Sequence, residues 1–209
     1  MVNAMKTQRS ARLVRHPSLM RLHAFTLIEL LVVIVIIAIL AAIVIPATKH
    51  LINRARVASA QNDALQLKNA IGSYFVEYRR YPTRLKGPED ASSPILSDHA
   101  LMDILLGSAA ETAPDGMNPR RHFGFNAKNA RPTGDGRYRG GVHFEADGGG
   151  TFWDPWGNHY RVLMDLDADN RIPAPSFVSG THFLPQAVAI WSAGKDGEDD
   201  SSTDNVITW

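Results

Sequence analysis

The sequence predicts an α+β fold: one long N-terminal helix, membrane-spanning first and a stem after, packed on a small antiparallel β-sheet. Three observations predict it. Residues 30–45, LLVVIVIIAILAAIVI, are sixteen consecutive apolar positions. Ala60, Ala64, Leu67, Ile71, Tyr74 and Tyr78 then recur at spacings of three or four, the period of one helix face. From residue 151 onward, short β-forming runs alternate with turns rich in Asp, Asn, Gly and Pro, the pattern of strands joined by tight connections.

The chain opens on a basic stretch. Residues 1–24 hold Lys6, Arg9, Arg12, Arg15 and Arg21 and no acid, so they are expected to stay cytoplasmic. Residues 25–47 follow as a helix just long enough to cross a hydrocarbon core of about 30 Å. The apolar run exceeds the roughly 7–15 residues of a secretory signal, and no clean A-x-A-like site closes it. The small residue lies before the run instead, as Ala24. One acid interrupts the segment, Glu29. A carboxylate at the bilayer centre costs about 2.5–3.5 kcal/mol, so such a residue carries a functional expectation. A juxtamembrane glutamate reaching for the headgroups is the bland alternative. Pro46 removes one helix hydrogen bond and is expected to kink the helix at the membrane exit.

Residues 48–82 continue as the stem helix. Arg54, Arg56, Asp63, Lys68 and Glu77 lie off the apolar stripe, which is expected to pack against the rest of the domain. Pro82 ends the helix. Residues 83–150 read as a variable insertion. Within it, SDHALMDILLGS (97–108) predicts a short helix capped by Ser97 or Asp98 and stopped by Gly107. Residues 114–150 predict loops and short strands. Arg120, Arg121, Lys128, Arg131, Arg137 and Arg139, interleaved with Phe123, Phe125 and Tyr138, form a basic stretch. A solvated insertion explains it; contacts to DNA or an anionic polymer are the sharper alternative.

Residues 151–209 predict the sheet. Thr151–Trp153 and Tyr160–Met164 flank Asp154-Pro155-Trp156-Gly157-Asn158, and Gly157-Asn158 is hairpin chemistry. Ala187–Ser192 and Val206–Trp209 supply a third and a fourth strand. Three or four strands would then lie across the stem and cover its apolar stripe.

Composition removes several functions. The chain has no cysteine, which excludes disulfides, thiolate metal sites and cysteine nucleophiles. The net charge is +1, but without residues 1–24 the remainder holds 17 basic and 21 acidic residues, a net of −4. Nucleic-acid binding is therefore not expected of residues 25–209. The eight histidines form no H-E-x-x-H, and neither G-x-S-x-G nor a phosphate-binding loop is present. No enzyme activity is predicted.

Two sets of residues resemble a known family. Ala24-Phe25-Thr26-Leu27-Ile28-Glu29-Leu30-Leu31-Val32-Val33-Ile34 resembles the cleavage and methylation motif of type IV pilins and type II secretion pseudopilins. The order Tyr81-Pro82, Asp154-Pro155-Trp156-Gly157-Asn158-His159-Tyr160, Trp191-Ser192-Ala193-Gly194-Lys195-Asp196-Gly197 and Asp204-Asn205-Val206-Ile207-Thr208-Trp209 is similar to the major pseudopilins. The resemblance covers roughly 1–82 and 151–209. The residue before the cut, usually Gly in that family, is Ala24 here; the true start is Met1, Met5 or Met20.

The resemblance implies a prepilin peptidase that cuts before Phe25 and methylates the new amine. The helix then serves as both membrane anchor and filament core. Other copies of the chain, minor pseudopilins and an inner-membrane assembly platform would be its partners. The remainder would lie in the periplasm, on a single-pass inner-membrane anchor. A cationic Phe25 amine beside a neighbour's Glu29 would neutralise two charges in a low-dielectric core and set subunit register. The resemblance also implies calcium in the loop from Ser192 to Asp204. Asp196, Asp204 and Asn205 match the family's ligand positions, backbone carbonyls near Trp191 and Gly194 complete a set of six to eight oxygens, and Asp199 or Asp200 compensates for the neutral Asn205. Asp165-x-Asp167-x-Asp169-Asn170 resembles the start of a second calcium loop, but Asn170 and Ser176 stand where Gly and an acid are wanted; a hairpin turn is the simpler reading. The function expected is a structural subunit of a periplasm-spanning filament for type II secretion. A type IV pilus-type subunit, a surface-anchored adhesin for polymer or DNA and a tethered hydrolase are the alternatives.

Overall fold

A computed structural model describes residues 25–85, 94–126, 128–199 and 204–209, without the side chains of 45–47. The expected leader, residues 1–24, lies outside them, and Ala24 with it. The chain divides into two compact units, Met1–Ala47 and Thr48–Trp209. Helix α1, Leu27–Tyr78, contributes to both. The helix continues through Pro46.

In the first unit α1 is apolar on every side. From Leu30 to Val44 its large side chains are 44–67% exposed. A helix hydrophobic all round belongs in a membrane or in the core of an assembly. It is long and apolar enough to span a bilayer, with a mean hydropathy of 3.4 over its best window.

In the second unit α1 turns one stripe inward. Ala60, Ala64, Leu67, Ile71 and Tyr74 are fully buried, as their spacing predicts. The helix ends at Tyr78, and Arg79 adopts a left-handed φ of 54°. Then come β1 (Ile95–Leu96), α2 (His99–Leu106), β2 (Arg131–Pro132), β3 (Tyr138–Arg139), β4 (Gly141–Phe144) and β5 (Gly150–Trp153). They are followed by β6 (Arg161–Met164), β7 (Ile172–Pro173), β8 (Phe183–Leu184), β9 (Val188–Ser192) and β10 (Val206–Ile207).

The main sheet has four antiparallel strands in the order β1-β6-β9-β10. Val162 pairs with Ile190 and Met164 with Val188. All four join the core that contains Leu67, Ile71 and Tyr74 of the stem. Side chains alternate across a strand, so Arg161, Leu163, Ala189 and Trp191 occupy the other face. A smaller cluster covers that face, with Ile172 and Leu184 from β7 and β8.

Two expectations need correction. The segments around 154–158 do not form a hairpin. The turn exists, closed by Asp154 N–H donating to Asn158 O at 2.8 Å, but beyond a single bridge between Trp153 and His159 the strands part. Strand β5 pairs with β4, and β6 pairs with β1 and β9. The cause is Ser97. It is fully buried, and its backbone and hydroxyl take the bonds a hairpin would use: Phe152 N–H to Ser97 O, Ser97 Oγ to Phe152 O, Tyr160 N–H to Ser97 Oγ and Ser97 N–H to Tyr160 O. The fourth sheet strand is therefore β1, from the segment before α2.

The second concerns 83–150, read as a variable insertion holding a short helix, loops and short strands. Leu101, Met102, Ile104 and Leu105 of α2, with Phe125, Val142 and Phe152, are buried in the same core as the stem. Helix α2 itself forms as its sequence predicts. The Asp98 carboxylate accepts from Ala100 N–H, and Gly107 closes the helix at φ 75°. A Cβ on Gly107 would collide with the Phe123 ring, so this C-cap requires glycine.

Candidate functional site

At the start of α1, Thr26 and Glu29 form a reciprocal capping box. Glu29 Oε2 accepts from the Thr26 N–H at 2.8 Å and from the Thr26 hydroxyl at 2.7 Å. The Glu29 N–H reaches Thr26 Oγ at 3.3 Å. The pattern T-x-x-E satisfies orphan amides at a helix start, a role the sequence reading did not assign to Glu29 although its spacing carries the signal. The arrangement fixes a carboxylate in the first turn, among exposed Phe25, Ile28, Val32 and Val33.

In the second unit the C-terminal loop is built around Asp154. Its carboxylate is fully buried. Oδ1 accepts from the N–H groups of Trp156, Gly157 and Asn158 at 2.7–2.8 Å, and Oδ2 from the Ser192 hydroxyl at 2.6 Å. Burial pushes its pKa above the usual carboxylate range, while these hydrogen bonds pull it back. Asn158 donates from Nδ2 to Gly194 O at 2.9 Å. The turn at 154–158 thus keys the start of the loop.

The end of the loop closes on Asp204. Its Oδ2 accepts from the N–H groups of Lys195 and Asp196 at 2.8 and 3.2 Å. Gly194 sits at φ 67°, where a Cβ would collide with Asp204 O. Asp204 Oδ1 and both side-chain polar atoms of Asn205 are buried without a hydrogen-bond partner among the described residues. Most buried polar groups are partnered; Trp156 Nε1 and the Tyr160 hydroxyl also lack a partner among the described residues. An adjacent carboxylate oxygen and amide oxygen left this way match the hard oxygen donors a divalent cation takes. The donor chemistry of Asp204 and Asn205 is compatible with a hard cation such as calcium.

The other expected donors are placed differently. Asp196 meets Asp204 through its backbone N–H, and its Oδ1 accepts from Glu198 N–H at 3.0 Å. Asp199 is occupied by Arg161 and Trp191. Asp200 lies outside the described residues.

Elsewhere, one oxygen from each of Asp165, Asp167 and Asp169 falls within 4.8 Å of the others. Such a cluster could hold a metal. Asp165 accepts from the N–H groups of Asp169 and Asn170, the latter at 2.6 Å, which is turn architecture. Ala168 and Asn170 take left-handed φ values of 63° and 59° there. The basic stretch is dispersed: Arg120 pairs with Glu77 at 2.9 Å, Lys128 with Asp63 at 3.4 Å, and Arg137 bonds Gly157 O.

Comparison with known proteins finds a family motif and several relatives. Residues 19–45 match the family described as "Prokaryotic N-terminal methylation motif". The chain is 40% identical over 143 residues to the type II secretion system core protein G of Aeromonas hydrophila, covering 68% of this chain and 73% of that protein. It is 31% identical over 119 residues to the protein of the same name from Escherichia coli, covering 53% and 82%. A fimbrial protein of Neisseria meningitidis is 33% identical over 89 residues, covering 43% and 52%.

Proposed function

This chain belongs to the family of the type II secretion system core protein G, the major pseudopilins, and from that membership we propose that it polymerises through α1 into a filament that spans the periplasm for protein secretion. Its role is that of a structural subunit, and we assign it no catalytic activity. The observation that carries the proposal is the all-round apolar half of α1, whose one acid, Glu29, is held in the first turn.

On this reading a prepilin peptidase cuts between Ala24 and Phe25 and methylates the Phe25 amine. The cationic amine of one subunit then meets the Glu29 carboxylate of another, which trades its Thr26 contacts for a full charge partner. An inner-membrane assembly platform adds copies of the chain and minor pseudopilins. The first half of α1 anchors the free subunit in the inner membrane, with the second unit in the periplasm. Shearing cells and weighing the recovered filament protein tests this. A chain beginning at a methylated Phe25 is expected. A protein confined to the membrane with its leader intact would overturn it.

The C-terminal loop is read as a calcium site held by Asp204 and Asn205, with Asp196 beside them. The orphaned oxygens of Asp204 and Asn205 support it. A bound hard cation supplies charge compensation for the acids of the loop, while Asp154 and Asn158 fix the backbone. A ligand that binds only the folded chain adds about 2.7 kcal/mol at a hundredfold excess over Kd. Thermal unfolding of the full chain in detergent should therefore shift upward from chelator to millimolar calcium, and Asp204→Ala should abolish the shift. A shift that survives Asp196→Ala and Asp204→Ala together would place the ion at Asp165, Asp167 and Asp169.

A further inference from the structure

We propose that Arg161 and Asp199 form a cation-independent latch that presets the first half of the C-terminal loop for the ion held at Asp204 and Asn205. The inference rests on the calcium reading above and names a positioning residue for it outside the loop. Arg161 is the one charged residue of β6, and its side chain is only 14% exposed. Directly across the ladder stands Trp191 of β9. Opposed residues of an antiparallel pair share one face of the sheet, and here both reach the same carboxylate. Arg161 Nε lies 2.9 Å from Asp199 Oδ2 and 2.8 Å from Oδ1. Trp191 Nε1 donates to Oδ1 at 3.0 Å. The guanidinium also donates to His159 O at 2.9 Å and to Gly197 O at 3.1 Å.

This geometry has two consequences. Asp199 is committed to Arg161 and is not a donor to the ion, although it stands among five acids, Asp196, Glu198, Asp199, Asp200 and Asp204. Residues 194–199 are also held without any ion: at Gly194 O by Asn158, and at Gly197 O and Asp199 by Arg161. A planar fork that grips a carboxylate and two carbonyls leaves little freedom. Among the described residues of this loop, the buried side-chain atoms without a partner are Asp204 Oδ1 and the two amide atoms of Asn205. The ion then orders only that end, and preorganisation of this kind raises affinity by removing an ordering cost.

The test is calorimetric titration of calcium into the chelator-stripped full chain in detergent micelles, for the wild type, Arg161→Ala, Asp199→Asn and the double variant. Each variant should bind calcium about ten- to a hundredfold more weakly, the usual effect of losing an outer support of a metal site. The double variant should be no weaker than Arg161→Ala, because contacting partners are not additive. Wild-type affinity in both single variants, with only their thermal midpoints in chelator lowered, would reduce the pair to a structural role and overturn the proposal. Weaker binding by Asp199→Asn with tighter binding by Arg161→Ala would overturn it differently, making Asp199 a ligand. A wild type that takes up no calcium defeats the calcium reading itself. Should Arg161→Ala not fold, Asp199→Asn, conservative and at a side chain 39% exposed, carries the test.

Discussion

Asp63 shows how one side chain ties the stem to the segment that follows it. It lies off the apolar stripe of α1, yet it is 7% exposed. Lys128 reaches it at 3.4 Å, and Ser59 donates to it at 3.4 Å. Burial raises its pKa above the ordinary 3.8, and the Lys128 charge only partly opposes this. The folded chain therefore holds that proton more tightly than the unfolded chain. The stabilisation is complete below about pH 3.8 and is lost as pH rises through the raised folded value. Asp63→Asn fixes the neutral form. Its thermal midpoint relative to wild type should thus improve between pH 3.5 and pH 7, measured on the full chain in detergent. An offset that stays constant, or that reverses, would show that burial of the carboxylate carries no such linkage. The apolar stripe was legible from spacing alone; the burial of Asp63 was not, because Lys128 is 65 residues away.

At the scale of elements, α2 and β1 bind the middle of the chain into the domain. Helix α2 was legible because its signals are local: an Asp cap, an apolar face and a glycine stop. What those residues pack against was not legible, since nothing in 83–150 announces that Leu101 and Ile104 share a core with Leu67. The false hairpin has the same origin. Gly157-Asn158 is correct turn chemistry, but Ser97, distant in sequence, takes the bonds on both sides of it. Leu101 is fully buried, and Leu101→Ala should cost about 2–5 kcal/mol through lost burial and a residual cavity. Chemical denaturation reads this directly. A loss under about 0.5 kcal/mol would return the segment to the status of a solvated appendage.

For the whole molecule, the two units answer to different solvents. The first half of α1 exposes its apolar residues on every side, while the second unit buries a conventional core. That division was legible because the apolar run and the helical stripe are both periodic signals. In the C-terminal loop the resemblance pointed to Asp204 and Asn205, whereas the grip of Arg161 on Asp199 depends on strand register. A lone arginine in the strand YRVLM was its only sequence trace. The central claim is that this chain is a filament subunit whose assembly needs the Glu29 carboxylate. The most direct measurement is the yield of sheared filaments from cells making Glu29→Ala in place of the wild type, at matched membrane levels. Removing the carboxylate lowers the insertion cost by up to about 3 kcal/mol, so the variant should reach the membrane at least as well. Its filament yield should fall by tenfold or more, because the amine at Phe25 of the neighbouring subunit loses its counter-charge. A variant that forms filaments at the wild-type yield would contradict the account.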